Sequence, residues 1–244
     1  MPLSDAVLAV DKKLAADREN GDLWMERGLR LADQQLMREA VEAFSKAISI
    51  DPFKGIYYRH RAHRYLSCWR FQDACADFTL ASRLIPENWD VWYHLGLSYY
   101  LLGEYEAAAV AYDRCYHLSP SDDKLIAVTD WYWMTLQRLG KTEKAQELLD
   151  GIHEGMDYKE NLSYYKRLLL YKGSVPETDL MSGSVLDIVT QGYGLSNYYR
   201  IHGNIKKADE ILEKVLAAGD ESHWYAFGYL AAMVDKGKSC KCGN

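Results

Sequence analysis

Apolar side chains recur along almost the whole chain at the spacing i, i+3, i+4 and i+7. This spacing places them on one face of an α-helix, whereas the strict alternation of a half-buried β-strand is nearly absent. Short segments containing Gly, Asp, Asn or Pro separate the apolar stretches, but no Pro/Gly/Ser-rich linker divides the sequence. The pattern predicts an all-α protein built from amphipathic helices.

The helical pattern also repeats with a fixed period: six positions recur 34 residues later and again after another 34. They are Trp24, Gly28, Ala40, Phe44, Ala47 and Pro52, then Tyr58, Ala62, Ala74, Phe78, Ala81 and Pro86, then Trp92, Gly96, Ala108, Tyr112, Cys115 and Pro120. Small residues allow two helices to approach closely, large ones fill the space beside them, and proline ends the second helix because it has no N–H to donate. The period therefore predicts a stack of helical hairpins, each buried against its neighbours.

These positions, with the segment WYHLGLSYY at 92–100, resemble the tetratricopeptide repeat (TPR). The resemblance covers residues 4–236 and is strongest over 21–120. It implies a TPR-type α-solenoid, a right-handed superhelix of about six helical hairpins with a capping helix at each end.

The predicted units form two subarrays, followed by a flexible tail at 237–244. The first subarray, 1–155, has an N-terminal capping helix and units at 21–54, 55–88, 89–122 and 126–155. The second, 156–236, has looser units at 159–188 and 189–220 and a closing helix at 221–236. Pro176 and the SGS segment at 182–184 predict that the second helix of unit 159–188 is reduced to a short turn.

Composition and charge narrow the functional class. The 244 residues include 35 acidic and 29 basic side chains, so the chain lacks the positive field that attracts a nucleic-acid backbone. No apolar run approaches the ~20 residues that cross a bilayer. The first segment, MPLSDAVLAVDKK, lacks the basic start of a signal peptide. We expect a cytoplasmic protein without membrane insertion, and nucleic acid is disfavoured as a partner.

The resemblance further implies a concave groove, lined by recurring positions of the first helix of each unit. The residues selected in this way are Met25, Leu29, Arg59, His63, Tyr93, Leu97, Tyr100, Asp130, Met134, Tyr193 and Asn197. Gln137, Arg138, Arg200 and Ile201 occupy further groove positions of the fourth and sixth units. Such an aromatic and apolar surface with single charges suits an extended or helical peptide. One TPR subfamily binds acidic chaperone C-termini through a Lys and Asn clamp, but Met25 and Leu29 occupy its first positions here.

No P-loop, nucleophile elbow, dinucleotide fingerprint or zinc-protease motif occurs in the sequence. We therefore predict a noncatalytic protein-protein interaction scaffold without a cofactor, acting as an adaptor, chaperone or assembly factor. Two alternatives stay open. RNA could stack on Tyr and Arg side chains of the groove, or the array could be a homo-oligomerisation module whose groove receives the terminal helix of another copy. If the last helix leaves Trp224 or Tyr225 uncovered, the end of the array is a further self-association surface.

Two sets of residues were weighed as metal ligands. His60, His63 and His94 could lie close together, but no carboxylate or thiol completes a ligand set, so neutral histidines are the preferred interpretation. Cys240 and Cys242 in the tail KSCKCGN resemble the opening half of the SEC-C zinc-binding motif. Two free thiols are the preferred interpretation there, with a zinc site or a disulfide shared between chains as the alternative.

Overall fold

The computed structural model describes residues 2–219 and 223–237, and all regular elements in these residues are helices. The predicted all-α class is confirmed. The chain divides into two compact units, Met1–Leu102 and Gly103–Asn244, and each is described by itself. The division of the chain into subarrays at residue 155 stays a prediction. No helix in the described ranges is both long and apolar enough to cross a membrane.

Unit 1 consists of six helices, each packed against the next. They are α1 (Asp5–Ala16), α2 (Gly21–Asp33), α3 (Met37–Ile50), α4 (Gly55–Ser67), α5 (Phe71–Leu84) and α6 (Trp89–Leu102). The first helices of successive hairpins also touch, α2 with α4 and α4 with α6. One side of unit 1 is therefore formed by these three helices lying next to one another.

The small repeat positions act as the period predicts. A Cβ added at Gly28 would lie 2.6 Å from the Phe44 ring, so only glycine lets α2 approach α3 this closely. Ala62 and Ala74 are fully buried in the second hairpin. Close approach at these positions holds each hairpin together.

The turn inside each hairpin contains one residue with left-handed backbone. Gln35 and Trp69 have φ of 61° in unit 1, and Gly140, Gly173 and Gly203 have φ between 69° and 79° in unit 2. The residue after each donates its N–H to a carbonyl five residues earlier, as in Lys141 to Leu136 at 2.9 Å. These bonds satisfy the last carbonyls of the first helix and reverse the chain.

Unit 2 contains seven α-helices within its described residues. They are α7 (Tyr105–His117), α8 (Asp122–Arg138), α9 (Thr142–Asp150), α10 (Leu162–Lys172), α11 (Val185–Ile201), α12 (Ile205–Gly219) and α13 (Phe227–Asp235). After α10 there is only a 3-10 turn, Glu177–Asp179, which confirms the short second helix expected in that unit. Val175, Leu180 and Met181 pack into the apolar cluster around Leu170 and Leu195, so this irregular segment takes the place of a helix.

Two predicted boundaries shift. Helix α8 begins at Asp122, before the expected residue 126, because Asp122 and Asp123 provide favourable negative charge in its first turn. The closing helix is shorter than 221–236, since α13 begins at Phe227 after a turn. Cys240 and Cys242, and all of the predicted tail except Gly237, lie outside the described residues.

Candidate partner-binding surfaces

A charged cluster links α4 and α6 of unit 1. It is called the α4 cluster below and comprises Arg59, His60, His63 and Arg64 of α4 with Asp90 and His94 of α6. Arg59 Nε donates to Oδ2 of Asp90 at 2.5 Å. The rings of His63 and His94 meet edge to face at 4.7 Å, and His94 Nδ1 lies 3.3 Å from Asp90 Oδ2.

The guanidinium groups of α4 use imidazole nitrogens as acceptors. Arg59 Nη1 donates to His60 Nδ1 at 3.0 Å, and Arg64 Nη2 donates to His63 Nδ1. Both imidazoles are neutral near pH 7. Burial lowers the pKa of His60 to about 4, and the charges of Arg59 and Arg64 contribute. Burial and the neighbouring His94 hold the pKa of His63 well below its ordinary value.

The two arginines differ in their counter-charges. Burial alone would raise the pKa of Asp90, but His94 and Arg59 outweigh it and hold that pKa well below its usual range. Arg59 is therefore paired with an ionised carboxylate. Arg64 has no carboxylate at ion-pair distance in the described part of the chain, and burial, aided by Arg59, lowers its pKa.

The other predicted residues of unit 1 fall into two groups. Met25 and Leu29 are partly buried and pack beside Phe44, with some surface left accessible. Tyr93, Leu97 and Tyr100 are only 5%, 0% and 2% exposed. The accessible part of the predicted surface in unit 1 is thus formed by Met25, Leu29, Arg59 and His63.

In unit 2, α8 and α11 border a pocket of about 200 Å³. All six of its lining residues occupy groove positions selected from the sequence in the fourth and sixth units. They are Met134, Gln137, Arg138, Asn197, Arg200 and Ile201.

Arg138 is the centre of the polar contacts at this pocket. It donates to Asn197 Oδ1 at 2.9 Å and to Asp235 Oδ2 at 2.6 Å, which connects α8 with α11 and α13. Tyr193, which is fully buried, donates its hydroxyl to the same Asp235 oxygen at 3.2 Å. Arg200 is paired with Asp209 at 2.9 Å. Both guanidinium groups at this pocket therefore already have counter-charges.

Asp130 lies in the interior of unit 2 and is fully buried. Its Oδ2 is 2.8 Å from Arg167 Nη2, and neither side chain is exposed. Burial raises the pKa of Asp130 to about 7, although the charge of Arg167 opposes this shift. Arg167 also donates to Thr190 O at 3.1 Å and to Met134 Sδ at 3.0 Å. A Cβ at Gly194 would overlap Arg167 Nε, so glycine makes room for the guanidinium.

The importance of Arg167 was missed from the sequence because it occupies none of the recurring positions. One signal was available: a single arginine in the otherwise apolar stretch RLLLY faces burial and needs a counter-charge. Of the three candidate metal-ligating histidines, His63 and His94 lie near each other with ring centroids 4.7 Å apart, whereas the His60 ring stacks on Phe44. Even so, no group of three His, Cys, Asp or Glu side chains in residues 2–219 and 223–237 is placed to hold a metal ion.

Comparison with known families agrees with the hairpin repeat. Two family models, both described as tetratricopeptide repeat, match residues 21–54 and 89–122. This chain contains tetratricopeptide repeats. Tetratricopeptide repeat protein 33 of Mus musculus is 22% identical over 202 residues, which is 74% of this TPR chain and 72% of the mouse protein.

Two further proteins share the TPR architecture. The Hsp70-Hsp90 organizing protein of Triticum aestivum is 34% identical over 89 residues, which is 36% of this chain but only 15% of the wheat protein. The crystal structure of YrrB, described as a TPR protein with an unusual peptide-binding site, has a TM-score of 0.58 at 18% identity and covers 95% of this chain and 100% of YrrB. At that identity the likeness establishes the solenoid fold alone.

Proposed function

We propose that this TPR protein is a noncatalytic interaction scaffold and that a peptide or protein partner binds the accessible face of α2 and α4 in unit 1. The observation that carries the proposal is the combination on this face of partly exposed Met25 and Leu29 with the α4 cluster. Apolar side chains provide area to bury, and single charges fix the direction of a bound chain.

The two helices meet at this face. Asp33 lies one turn beyond Leu29 on the same side of α2, and its negative charge partly opposes the lowering of the pKa of Arg64 on α4. A segment lying across α2 and α4 would thus contact the apolar residues and the α4 cluster together. The name of the wheat organizing protein refers to Hsp70 and Hsp90, and YrrB is described as a TPR protein with an unusual peptide-binding site. Both descriptions agree with such a role.

A photo-reactive amino acid at position 29 tests this surface directly. Leu80 provides the matched control, since it is 46% exposed on α5 and belongs to a second helix of a hairpin. We expect partner proteins to cross-link in cells from position 29 and not from position 80. Equal cross-linking from both positions, or cross-links to RNA or to a second copy of the chain, would contradict the proposal.

Affinity for the captured partner then gives the quantitative test. Leu29→Asp should weaken binding by roughly tenfold or more, because a charge replaces buried apolar surface. Leu80→Asp should leave affinity within about twofold. The affinities are measured by isothermal titration calorimetry, and a melting curve for each variant separates lost binding from lost folding.

A further inference from the structure

We propose that Arg64 is an anion site that takes one carboxylate, supplied by an acidic side chain of the bound partner. The partner as the source of this carboxylate rests on the proposed function. The site itself rests on the charges and contacts of the α4 cluster.

The charges of the α4 cluster do not balance. The α4 cluster contains two guanidinium groups and one ionised carboxylate, and that carboxylate, Asp90, is bound to Arg59 at 2.5 Å. His60 and His63 are neutral and accept hydrogen bonds from the arginines, so they add no compensating charge. One positive charge, on Arg64, remains uncompensated within the cluster.

The guanidinium group of Arg64 is also largely removed from water. Arg64 is only partly exposed, and its one hydrogen bond to a described residue goes to a neutral imidazole. A guanidinium group removed from water in this way loses hydration that a neutral acceptor does not replace. A carboxylate can accept two parallel N–H bonds from the guanidinium plane and neutralise its charge. The charge of Asp33 offsets that of Arg64 only in part, because Asp33 is exposed and lies 3.6 Å from Arg30.

The same charges favour a carboxylate over a phosphate group. One uncompensated positive charge matches one negative charge, and Asp90 would repel a dianion that approached the cluster. Arg64 also differs from the clamp for chaperone C-termini considered above, whose first positions are the apolar Met25 and Leu29 on α2. The acidic group would therefore be recognised from α4.

Side-chain NMR of the full chain tests the site with acetate as the probe and without any partner. Acetate is titrated at constant ionic strength, and the Arg64 Nε–Hε and His63 ring signals are followed. We expect saturable shifts with half-saturation on the order of 10 mM, as suits a ligand of a few atoms. Inorganic phosphate should bind several-fold more weakly.

Three variants sharpen the result. Arg64→Gln should abolish the saturable response, Arg64→Lys should retain a weaker one because the charge remains, and Arg83→Gln, an exposed arginine on α5, should leave it unchanged. Linear shifts in the unmodified chain, an unchanged response in Arg64→Gln, or tighter binding of phosphate would overturn the inference. If acetate binds at Arg64 but no partner cross-links at position 29, the carboxylate site stands and the proposed function is contradicted. If partners cross-link at position 29 but acetate does not bind, only the carboxylate site is contradicted.

Discussion

Each unit contains an Arg–Asp pair between two first helices, and the two pairs have opposite environments. In unit 1 Arg59 and Asp90 are 22% and 31% exposed, and the pKa of Asp90 is lowered. In unit 2 Arg167 and Asp130 are fully buried, and the pKa of Asp130 is raised to about 7. The same two side chains at nearly the same separation thus favour opposite protonation states of the carboxyl group.

The difference arises from solvation. Asp90 keeps contact with water and interacts with Arg59 and His94. The attraction of these two side chains for the ionised carboxylate therefore exceeds the free-energy cost of burying its charge. Asp130 has no contact with water, and neither oxygen has a well-aligned hydrogen bond, so one nearby guanidinium does not restore the lost hydration. The pair in unit 1 is partly accessible to solvent, whereas the pair in unit 2 holds α8 and α10 together.

The largest expected effect comes from removing the buried cation. Arg167→Ala should lower the free energy of unfolding of unit 2 by about 3–5 kcal/mol, because Asp130 is left buried without a counter-charge and a cavity forms. Urea unfolding followed by the fluorescence of the tryptophans measures the change. The double variant Arg167→Met with Asp130→Leu should recover most of the loss, since no charge stays buried. If the double variant is as unstable as Arg167→Ala, the loss of stability comes from disrupted packing and not from the unpaired charge of Asp130.

A second prediction uses acid, which should act with opposite signs on the two units. The pKa of His60 is 6.5 unfolded and about 4 folded, so between these values the unfolded state binds more protons and unit 1 loses stability as pH falls. The pKa of Asp130 is 3.8 unfolded and about 7 folded, so unit 2 gains stability over the same interval. From about pH 7 to about pH 5 we expect roughly 1–2 kcal/mol lost in unit 1 and about 2 kcal/mol gained in unit 2.

Hydrogen exchange resolved by mass spectrometry measures this in each unit separately, after correction for the intrinsic exchange rates. His60→Gln should reduce the pH response of unit 1 only, because His63, whose folded-state pKa is also lowered, still contributes to it. Asp130→Asn should flatten the pH response of unit 2 only. Parallel changes in both units would contradict the assignment of the two titrations.

The sequence predicts the hairpins well and the depth of side chains poorly. Small residues such as Gly28 and Ala62 are needed wherever two helices pack closely, and a proline is needed wherever the second helix ends. Each hairpin has the same needs, so these residues recur with the period and can be found in the sequence. The left-handed turn residue Trp69 was not predicted, because no glycine marks it. At Trp69 the backbone hydrogen bonds that close the hairpin outweigh the preference of a non-glycine residue for negative φ.

The candidate surfaces show the same limit. The groove positions implied by the TPR resemblance include Met134, Arg138 and Asn197, and in the structure these three line one pocket. A repeat position predicts the direction in which a side chain points but not how far other helices cover that side chain. The full burial of Asp130 could therefore not be predicted from its position. Its partner Arg167 is 37 residues away, outside the period, and only the folded chain brings the two together. The uncompensated charge of Arg64 likewise depends on which arginine Asp90 reaches.

The smallest expected effect is on the exposed pair and completes the comparison. Arg59→Ala should cost about 1 kcal/mol or less in the free energy of unfolding, because water and His94 still stabilise Asp90 and a partly exposed pair contributes little. The pKa of His60 should rise from about 4, since the positive charge of Arg59 helps to hold it down. Urea unfolding measures the first change and NMR titration of the His60 ring the second. If Arg59→Ala lowers the free energy of unfolding as much as Arg167→Ala does, partial hydration does not explain the difference between the two pairs. Asp90 would then depend on its arginine as completely as Asp130 does.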